Sequence, residues 1–333
     1  MPSEFALIAR HFTRPTRHSV LGVGDDAAIV RPAAGHELAI STDMLVCGTH
    51  FLPDTDPAAL GWKTLAVNVS DLAAMGAHPR WALLAAALPA DYAANEPWIA
   101  AFADGFFACA DAFDIDVIGG DTTCTTHGAL NFCVTIFGEV ESQRALLRSG
   151  AQEGDEIWVS GSPGLAALGL AHLQGRCTLP PAQQPACLHA LHRPQPRVAL
   201  GRALQQHHLA TAAIDISDGL LADLGHILEQ SAKAATLHLP LLSHLPHTAL
   251  NTGVDAALAQ NCLLAGGDDY ELLFTAAPAQ HAAIRALSAQ LNLPLTCIGQ
   301  ITHTETIPAQ QLQLLDADGK NITPARRGYD HFA

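Results

Sequence analysis

At 333 residues the chain has room for two domains and a sizeable core. It is 49% hydrophobic and 15% charged, a balance that suits a compact globular enzyme and excludes a disordered or coiled-coil chain. With 32 acidic against 17 basic side chains, a net charge of −15 and no basic stretch, the composition argues against nucleic acid as a partner. An anionic ligand stays possible where divalent cations stand between carboxylate and phosphate.

In chain order, residues 3–12 carry helical spacing, with Ser3 as an expected N-cap. Arg14 to His18 is a polar, basic patch expected to be a mobile loop. Gly22-Val23-Gly24-Asp25-Asp26 follows, with two adjacent carboxylates after glycines. Leu38 to Ser41 reads as a short strand that delivers Thr42 and Asp43 at its end. A helix is predicted from Pro57 to Met75, closed by Gly76. Thr64, Asn68 and Asp71 form a polar stripe on one of its faces, while the other faces are so apolar that the helix reads as buried on most sides.

Trp81 to Leu88 is a strand, Trp98 to Phe113 a helix, and Asp116 to Gly119 a strand ending at Gly119-Gly120-Asp121. Leu130 to Val140 completes an α/β or α+β N-terminal part. The polar stretch Arg148 to Gly154 marks a domain joint, giving domains of residues 1–147 and 148–333. After the strand Glu156 to Ser160, Gly161-Ser162-Pro163-Gly164 reads as a tight turn opening a helix, without the Lys-Ser/Thr of a P-loop. Residues 174–197 are expected to be a surface excursion. Helix 198–208, strand Ala212 to Ile216 and a helix after Ser217-Asp218-Gly219 follow. Ser217 or Asp218 would serve as that helix's N-cap, which leaves Asp215 unexplained. Gly266-Gly267-Asp268-Asp269 precedes strand Leu272 to Thr275, helix Ala279 to Leu291 and strand Leu295 to Ile301.

The eight cysteines include no CxxC pair, so they read as mostly buried, reduced thiols rather than a zinc motif or secreted framework. The N-terminus lacks a signal-peptide core, and the longest apolar run is far short of the ~20 residues that cross a bilayer. The expectation is a cytoplasmic protein with no membrane partner.

Asp26, Asp43, Asp71, Asp121, Asp215 and Asp268 each mark an acidic cluster beside Gly, Ser or Thr at the end of an apolar segment. Adjacent carboxylates repel unless a cation lies beside them. An array of aspartates with hydroxyls from Ser41, Thr42 and Ser217 is the donor set that magnesium prefers. Phosphoryl transfer needs mainly positioning and charge neutralisation, so the recurrence predicts one metal-rich site built from distant parts of the chain.

Several stretches resemble the thiamine-monophosphate kinase family. They are Leu38-Ala39-Ile40-Ser41-Thr42-Asp43 with Gly48-Thr49-His50-Phe51, and Leu65 to Ala77 around Asn68-Val69-Ser70-Asp71. Val117 to Thr123, Arg148-Ser149-Gly150-Ala151, Ile214 to Leu220 and the tail Gly328-Tyr329-Asp330-His331-Phe332 belong to the same pattern. The resemblance runs over almost the whole chain. It implies a two-domain fold like that of aminoimidazole ribonucleotide synthetase, with an N-terminal mixed-sheet domain that forms a homodimer and a C-terminal α/β domain. It further implies ATP and several Mg2+ ions as co-substrate and cofactor, and thiamine monophosphate as acceptor.

Carried over by position, Asp26, Ser41, Thr42, Asp43, Asp71, Asp121, Asp215 and Asp218 would hold magnesium. Gly120, Asp121, Arg148 and Ser217 would touch the nucleotide. Asp43, Asp71, Asp121 and Arg148 would carry catalysis, and His50, Asp268 and Arg326 would face the acceptor. The chain departs from the family at Asp268, where Glu is common, and near Arg326, where an aromatic is common, although a guanidinium plane also stacks. The alternatives are another ATP-dependent activity of the same superfamily or a non-catalytic nucleotide- or metal-binding scaffold. Two superfamily activities are disfavoured by a first cysteine only at Cys47 and a C-terminus without one.

Overall fold

A computed structural model describes residues 4–125, 128–243, 245, 253–302 and 307–329. Ser3 and the tail residues 330–332 lie outside the described residues. The chain divides into two compact units: residues 1–72 with 77–143, and residues 73–76 with 144–333. The division falls between Gln143 and Arg144, a few residues ahead of the expected joint.

The first unit contains α1 (Glu4–His11), β1 (Ser19–Leu21), β2 (Ile29–Val30), β3 (His36–Val46), α2 (Pro57–Ala74, its last turn counted with the second unit), β4 (His78–Pro89), α3 (Ala90–Ala93), α4 (Glu96–Ala112), β5 (Asp116–Thr125) and β6 (Asn131–Glu141). Its main sheet runs β3-β6-β4-β5. The first two pairings are antiparallel and β4–β5 is parallel, which makes it the mixed sheet that was expected.

Helices α2 and α4 cover one face of that sheet. They cross backbone to backbone where Gly61 meets the Phe102 carbonyl and Gly105 meets the Ala58 carbonyl, so any side chain at either glycine would collide with main chain. Phe102 of α4 stacks on Phe132 of β6 with ring centroids 4.2 Å apart. Asp56 starts α2, its carboxylate accepting the Ala59 N–H at 2.8 Å.

Two expectations are corrected in this unit. β3 and β5 run on well past Ser41 and Gly119, so Thr42, Asp43 and Asp121 stand mid-strand rather than at strand ends. The basic patch Arg14–His18 is tied down instead of mobile. Arg14 lies 3.8 Å over the Phe107 ring, and the N–H groups of Arg17, His18 and Ser19 all donate to the buried Asp116 carboxylate.

The second unit contains β7 (Glu156–Ser160), α5 (Leu165–Leu173), α6 (Gln184–His192), α7 (Val198–Gln206), β8 (Ala212–Asp215), α8 (Leu220–Ser231), β9 (Ala234–His238), α9 (Leu239–Leu242), α10 (Ala256–Ala265), β10 (Leu272–Ala276), α11 (His281–Leu291), β11 (Leu295–Thr302) and β12 (Leu312–Leu315). Its sheet order is β12-β9-β11-β7-β10-β8, antiparallel except for β12–β9.

Strand alternation sorts the core of this unit into two layers. Ile157, Val159, Ile214 and Leu273 face one layer with residues of α5, α8 and α10. Trp158, Ala213, Leu272 and Phe274 face the other with residues of α7 and α11. The stretch 174–197 is not a bare excursion: α6 buries Cys187 and Leu191. Nor are the cysteines mostly buried. All eight are free, but only Cys109, Cys187 and Cys262 are buried and Cys124 is exposed.

Candidate active site

In the first unit, the edge strand β3 presents Ser41 and Asp43 on the side facing α2, because alternate residues of a strand share a face. The Ser41 hydroxyl donates a hydrogen bond to the Asp71 carboxylate of α2. One turn earlier on α2, the Asn68 side-chain oxygen accepts the Asp43 N–H at 3.1 Å, and its amide donates to the Thr64 carbonyl at 3.3 Å. Thr64 and Asn68 are both buried, so the polar stripe of α2 faces protein rather than water. Its purpose is to set the backbone of the strand that carries Asp43.

Thr42 points the other way. Its hydroxyl hydrogen-bonds Thr135 across the sheet at 2.8 Å. Thr135 lines a groove of about 1310 Å³ together with Gly24, Asp25, Asp26, Gly120 and Asp121. Gly120 packs against the Leu84 carbonyl of β4 with no space for a side chain, so the neighbouring strand demands glycine there.

His50 occupies a turn after β3. Its Nδ1 accepts the Val46 N–H at 3.0 Å, which leaves Nε2 as the N–H of the neutral ring. The buried Lys63 ammonium reaches the His50 carbonyl at 3.5 Å.

The second unit assembles its own set around the loop between β8 and α8. Asp215, buried, ends β8 opposite Leu272. The Asp268 N–H donates to the Ser217 carbonyl at 2.8 Å, and the Tyr270 N–H donates to the Ile216 carbonyl at 2.8 Å. The Asp215–Asp218 and Gly266–Asp269 motifs thus lie side by side. Asp268 and Tyr270 both hold positive φ (69° and 52°), a conformation non-glycine residues keep only where the surroundings impose it. The Tyr270 hydroxyl donates to Asp268 at 3.1 Å, and the Tyr329 N–H docks on the Asp218 carbonyl at 2.9 Å. Arg148 and Arg326 are exposed.

Three residues of this unit carry structure that the sequence reading missed. Neither Ser217 nor Asp218 caps α8. Gly219 holds the cap position, and Asp223, one turn inside the helix, accepts the N–H groups of Ser217, Asp218 and Gly219 at 3.1, 3.2 and 3.0 Å. Burial, seconded by the Asp218 charge, pushes the Asp223 carboxyl up to about 7 against the pull of those donors. Glu271 and Arg197 form a two-pronged ion pair at 2.6 and 2.5 Å. Glu271 also takes the Ser160 hydroxyl at 2.5 Å, while Asp269 takes the Gly164 N–H at 2.7 Å. The Gly161–Gly164 turn is therefore a structural clamp on the Gly-Gly-Asp-Asp loop. An acid in the first turn of α8 was the one available signal for Asp223.

Among the described residues, no three His, Cys, Asp or Glu side chains stand close enough to cage a metal ion. Magnesium does not require such a cage: it usually takes one or two carboxylates and completes its octahedron with water and phosphate. Ser41 and Asp71 bring hard oxygen donors together, Asp43 adds a carboxylate on the same face of β3, and Asp26 and Asp121 offer the same donor type along the groove. These residues fit magnesium held jointly with a phosphate chain.

The family described as AIR synthase related protein matches in two parts, its N-terminal domain over residues 24–140 and its C-terminal domain over residues 152–309. The chain is 46% identical over 334 residues to the thiamine-monophosphate kinase of Escherichia coli (strain K12), covering 99% of this chain and 98% of the relative. The crystal structure of thiamine-monophosphate kinase from Stenotrophomonas maltophilia K279a is 45% identical, with a TM-score of 0.82 over 96% of each chain. A complex of AaThiL with AMPPCP and TMP is 29% identical, with a TM-score of 0.75 over 93% of this chain and 92% of that one.

Proposed function

The chain belongs to the thiamine-monophosphate kinase family, and we propose that it transfers the γ-phosphoryl group of ATP directly to thiamine monophosphate, giving ADP and thiamine diphosphate. What supports this reading on the chain's own residues is the hydrogen bond from the Ser41 hydroxyl to Asp71, with the backbone of Asp43 held by Asn68 one turn earlier on α2. The acceptor's terminal phosphate has a second pKa of about 6 and is already anionic near neutral pH. No residue is therefore needed as a strong general base.

The obstacle is repulsion between two polyanions, roughly 4 kcal/mol for each pair of unit charges at about 4 Å and an effective dielectric of 20. Magnesium, when bound, supplies charge neutralisation and alignment of the phosphates. Asp43 and Asp71, with the Ser41 hydroxyl, would hold one ion. Asp26 and Asp121 would hold another on the groove side, where Thr42 and Gly120 also lie, and Asp215 and Asp218 would serve in the second unit. Arg148 and Ser217 would contact the nucleotide. His50, Asp268 and Arg326 would face the acceptor. Asn68 keeps Asp43 in place throughout, and Lys63 steadies the turn that carries His50.

We also propose a homodimer through the first unit. Leu38, Ile40 and Met44 stand exposed on the face of β3 turned away from α2, an apolar surface suited to a second copy. Eight free cysteines suit a reducing cytoplasm, and among the described residues no helix is long and apolar enough to cross a membrane.

The decisive assay combines the protein with ATP, magnesium and thiamine monophosphate. ADP and thiamine diphosphate should form in equal amounts. ADP with inorganic phosphate and no diphosphate product would refute the transfer.

A further inference from the structure

The turn Ser217-Asp218-Gly219 is a junction of main-chain bonds. Its three N–H groups all point to one oxygen of Asp223, a side chain only 2% exposed. Two of its carbonyls point outward: Ser217 takes the Asp268 N–H at 2.8 Å and Asp218 takes the Tyr329 N–H at 2.9 Å. Gly267 packs against the Ser217 carbonyl, and Gly328 against the Asp218 carbonyl and Ala222, too closely for side chains to be added without movement. Two segments far apart in sequence, 266–269 and 326–329, are thus hung on the same three residues.

A turn with three parallel N–H groups keeps its shape only if something accepts them, since buried donors left unpaired are costly. Gly219 and the Asp223 side chain are buried, Ser217 and Asp218 are half-buried, and Gly219, at the cap position, has no side chain of its own to accept these groups. We infer that Asp223 is a positioning residue that holds the Ser217–Gly219 turn so that the nucleotide side (Ser217, Asp218) and the acceptor side (Asp268 and the segment of Arg326) are set by one hydrogen-bond acceptor. Asp223 touches no substrate. It acts through peptide groups, and both substrates depend on it together. This inference rests on the kinase reading for the assignment of the two sides, but the hub itself does not.

The test compares Asp223→Leu, which fills similar space without an acceptor, with Asp223→Asn, which keeps an acceptor oxygen and drops the charge. In steady-state assays of the full chain, D223L should raise KM for ATP and for thiamine monophosphate together. The expected rise is about 10- to 100-fold, the usual scale for losing a residue that orients a site from behind. D223N should restore both to within a few-fold. A merely structural role would lower the active fraction, and hence apparent kcat, with both KM values unchanged; that result overturns the inference. So does D223N as impaired as D223L.

Because D223L risks misfolding, a second measurement uses the unaltered, ligand-free protein. Amide hydrogen exchange should show Ser217, Asp218, Gly219, Asp268 and Tyr329 opening as one cooperative group. Independent exchange of Asp268 and Tyr329 from the turn would overturn the hub. Failure of the unaltered protein to make thiamine diphosphate would instead strike the kinase reading and leave the exchange result standing.

Discussion

Asp71 sits where α2 meets β3, its carboxylate taking the Ser41 hydroxyl. Asp71→Asn keeps the shape and an acceptor for Ser41 but removes the negative charge that would hold a cation against phosphate. Turnover at ordinary magnesium should fall by about 100-fold or more, the scale for removing one preorganised charge-stabilising group. The thermal midpoint should stay near that of the parent. Steady-state ADP release and a melting curve on the same sample check both halves, and undiminished turnover would remove Asp71 from the chemistry. Much of this was legible at the residue scale, since the Thr64-Asn68-Asp71 stripe and the paired Ser and Asp of β3 stand out in the sequence. The division of Ser41 and Asp43 from Thr42 was not, because the predicted strand stopped at Ser41. Once β3 is known to run to Val46, alternation alone sends Thr42 to the far face. Asp223 escaped for a different reason. A local pattern assigns the cap of α8 to Ser217 or Asp218, whereas the acceptor comes from inside the helix and its donors are peptide groups that no sequence motif marks.

Elements are held by ion pairs of two different kinds. Arg197, just ahead of α7, meets Glu271, just ahead of β10, with both charges largely withdrawn from water. Arg197→Met would leave the Glu271 carboxylate buried without its cation, at a cost of about 3–5 kcal/mol. Urea unfolding should show that loss, and a change below about 1 kcal/mol would mean Ser160 and the Ser162 N–H suffice for Glu271. In the first unit, burial pushes the Glu139 carboxyl up. The Ala33 N–H and the Arg80 guanidinium outweigh it and hold the net value below the usual 4.5. A depressed carboxyl contributes stability that is fully present above its unfolded value and lost as pH falls below it. Unfolding free energy should therefore drop below about pH 4.5 less steeply in Glu139→Gln than in the parent; identical acid limbs would exclude this linkage. Long elements with clear periodicity, such as α2, β4 and α4, were legible in the sequence. Residues 174–197 were not, because Pro, Gln and His mask a nine-residue helix whose only buried apolar anchors are Cys187 and Leu191. β9, α10 and β12 went unread, and their short runs gain strand or helix character only from neighbours supplied by the rest of the unit.

At the scale of the whole molecule, α2 and α4 cover one face of the first unit's mixed sheet. On the other, Ile40 is 58% exposed and Met44 54%, with Leu38 beside them at the strand's start. Val20 and Ile29 on the β1–β2 ribbon are exposed to a similar degree. Scattered apolar exposure is ordinary, but three apolar residues sharing one face of an edge strand are the pattern of a surface that meets another protein. A cyclic pair would place the same strand of each copy at one interface, so a single charge introduced there appears twice. Ile40→Asp should convert a species of roughly twice the 35.0 kDa chain mass into one of single-chain mass in sedimentation velocity. The site is solvent-exposed in the single chain, so unfolding of the dissociated variant should change by no more than about 1 kcal/mol from the residue itself. A parent protein that sediments as one chain at micromolar concentration, or an Ile40→Asp variant that still sediments as two, would reject this face as the dimer contact. If the variant is monomeric yet keeps the Asp71-dependent turnover, pairing serves stability; if turnover falls with dissociation while the fold persists, the groove beside Asp26 and Asp121 needs the second copy to be complete.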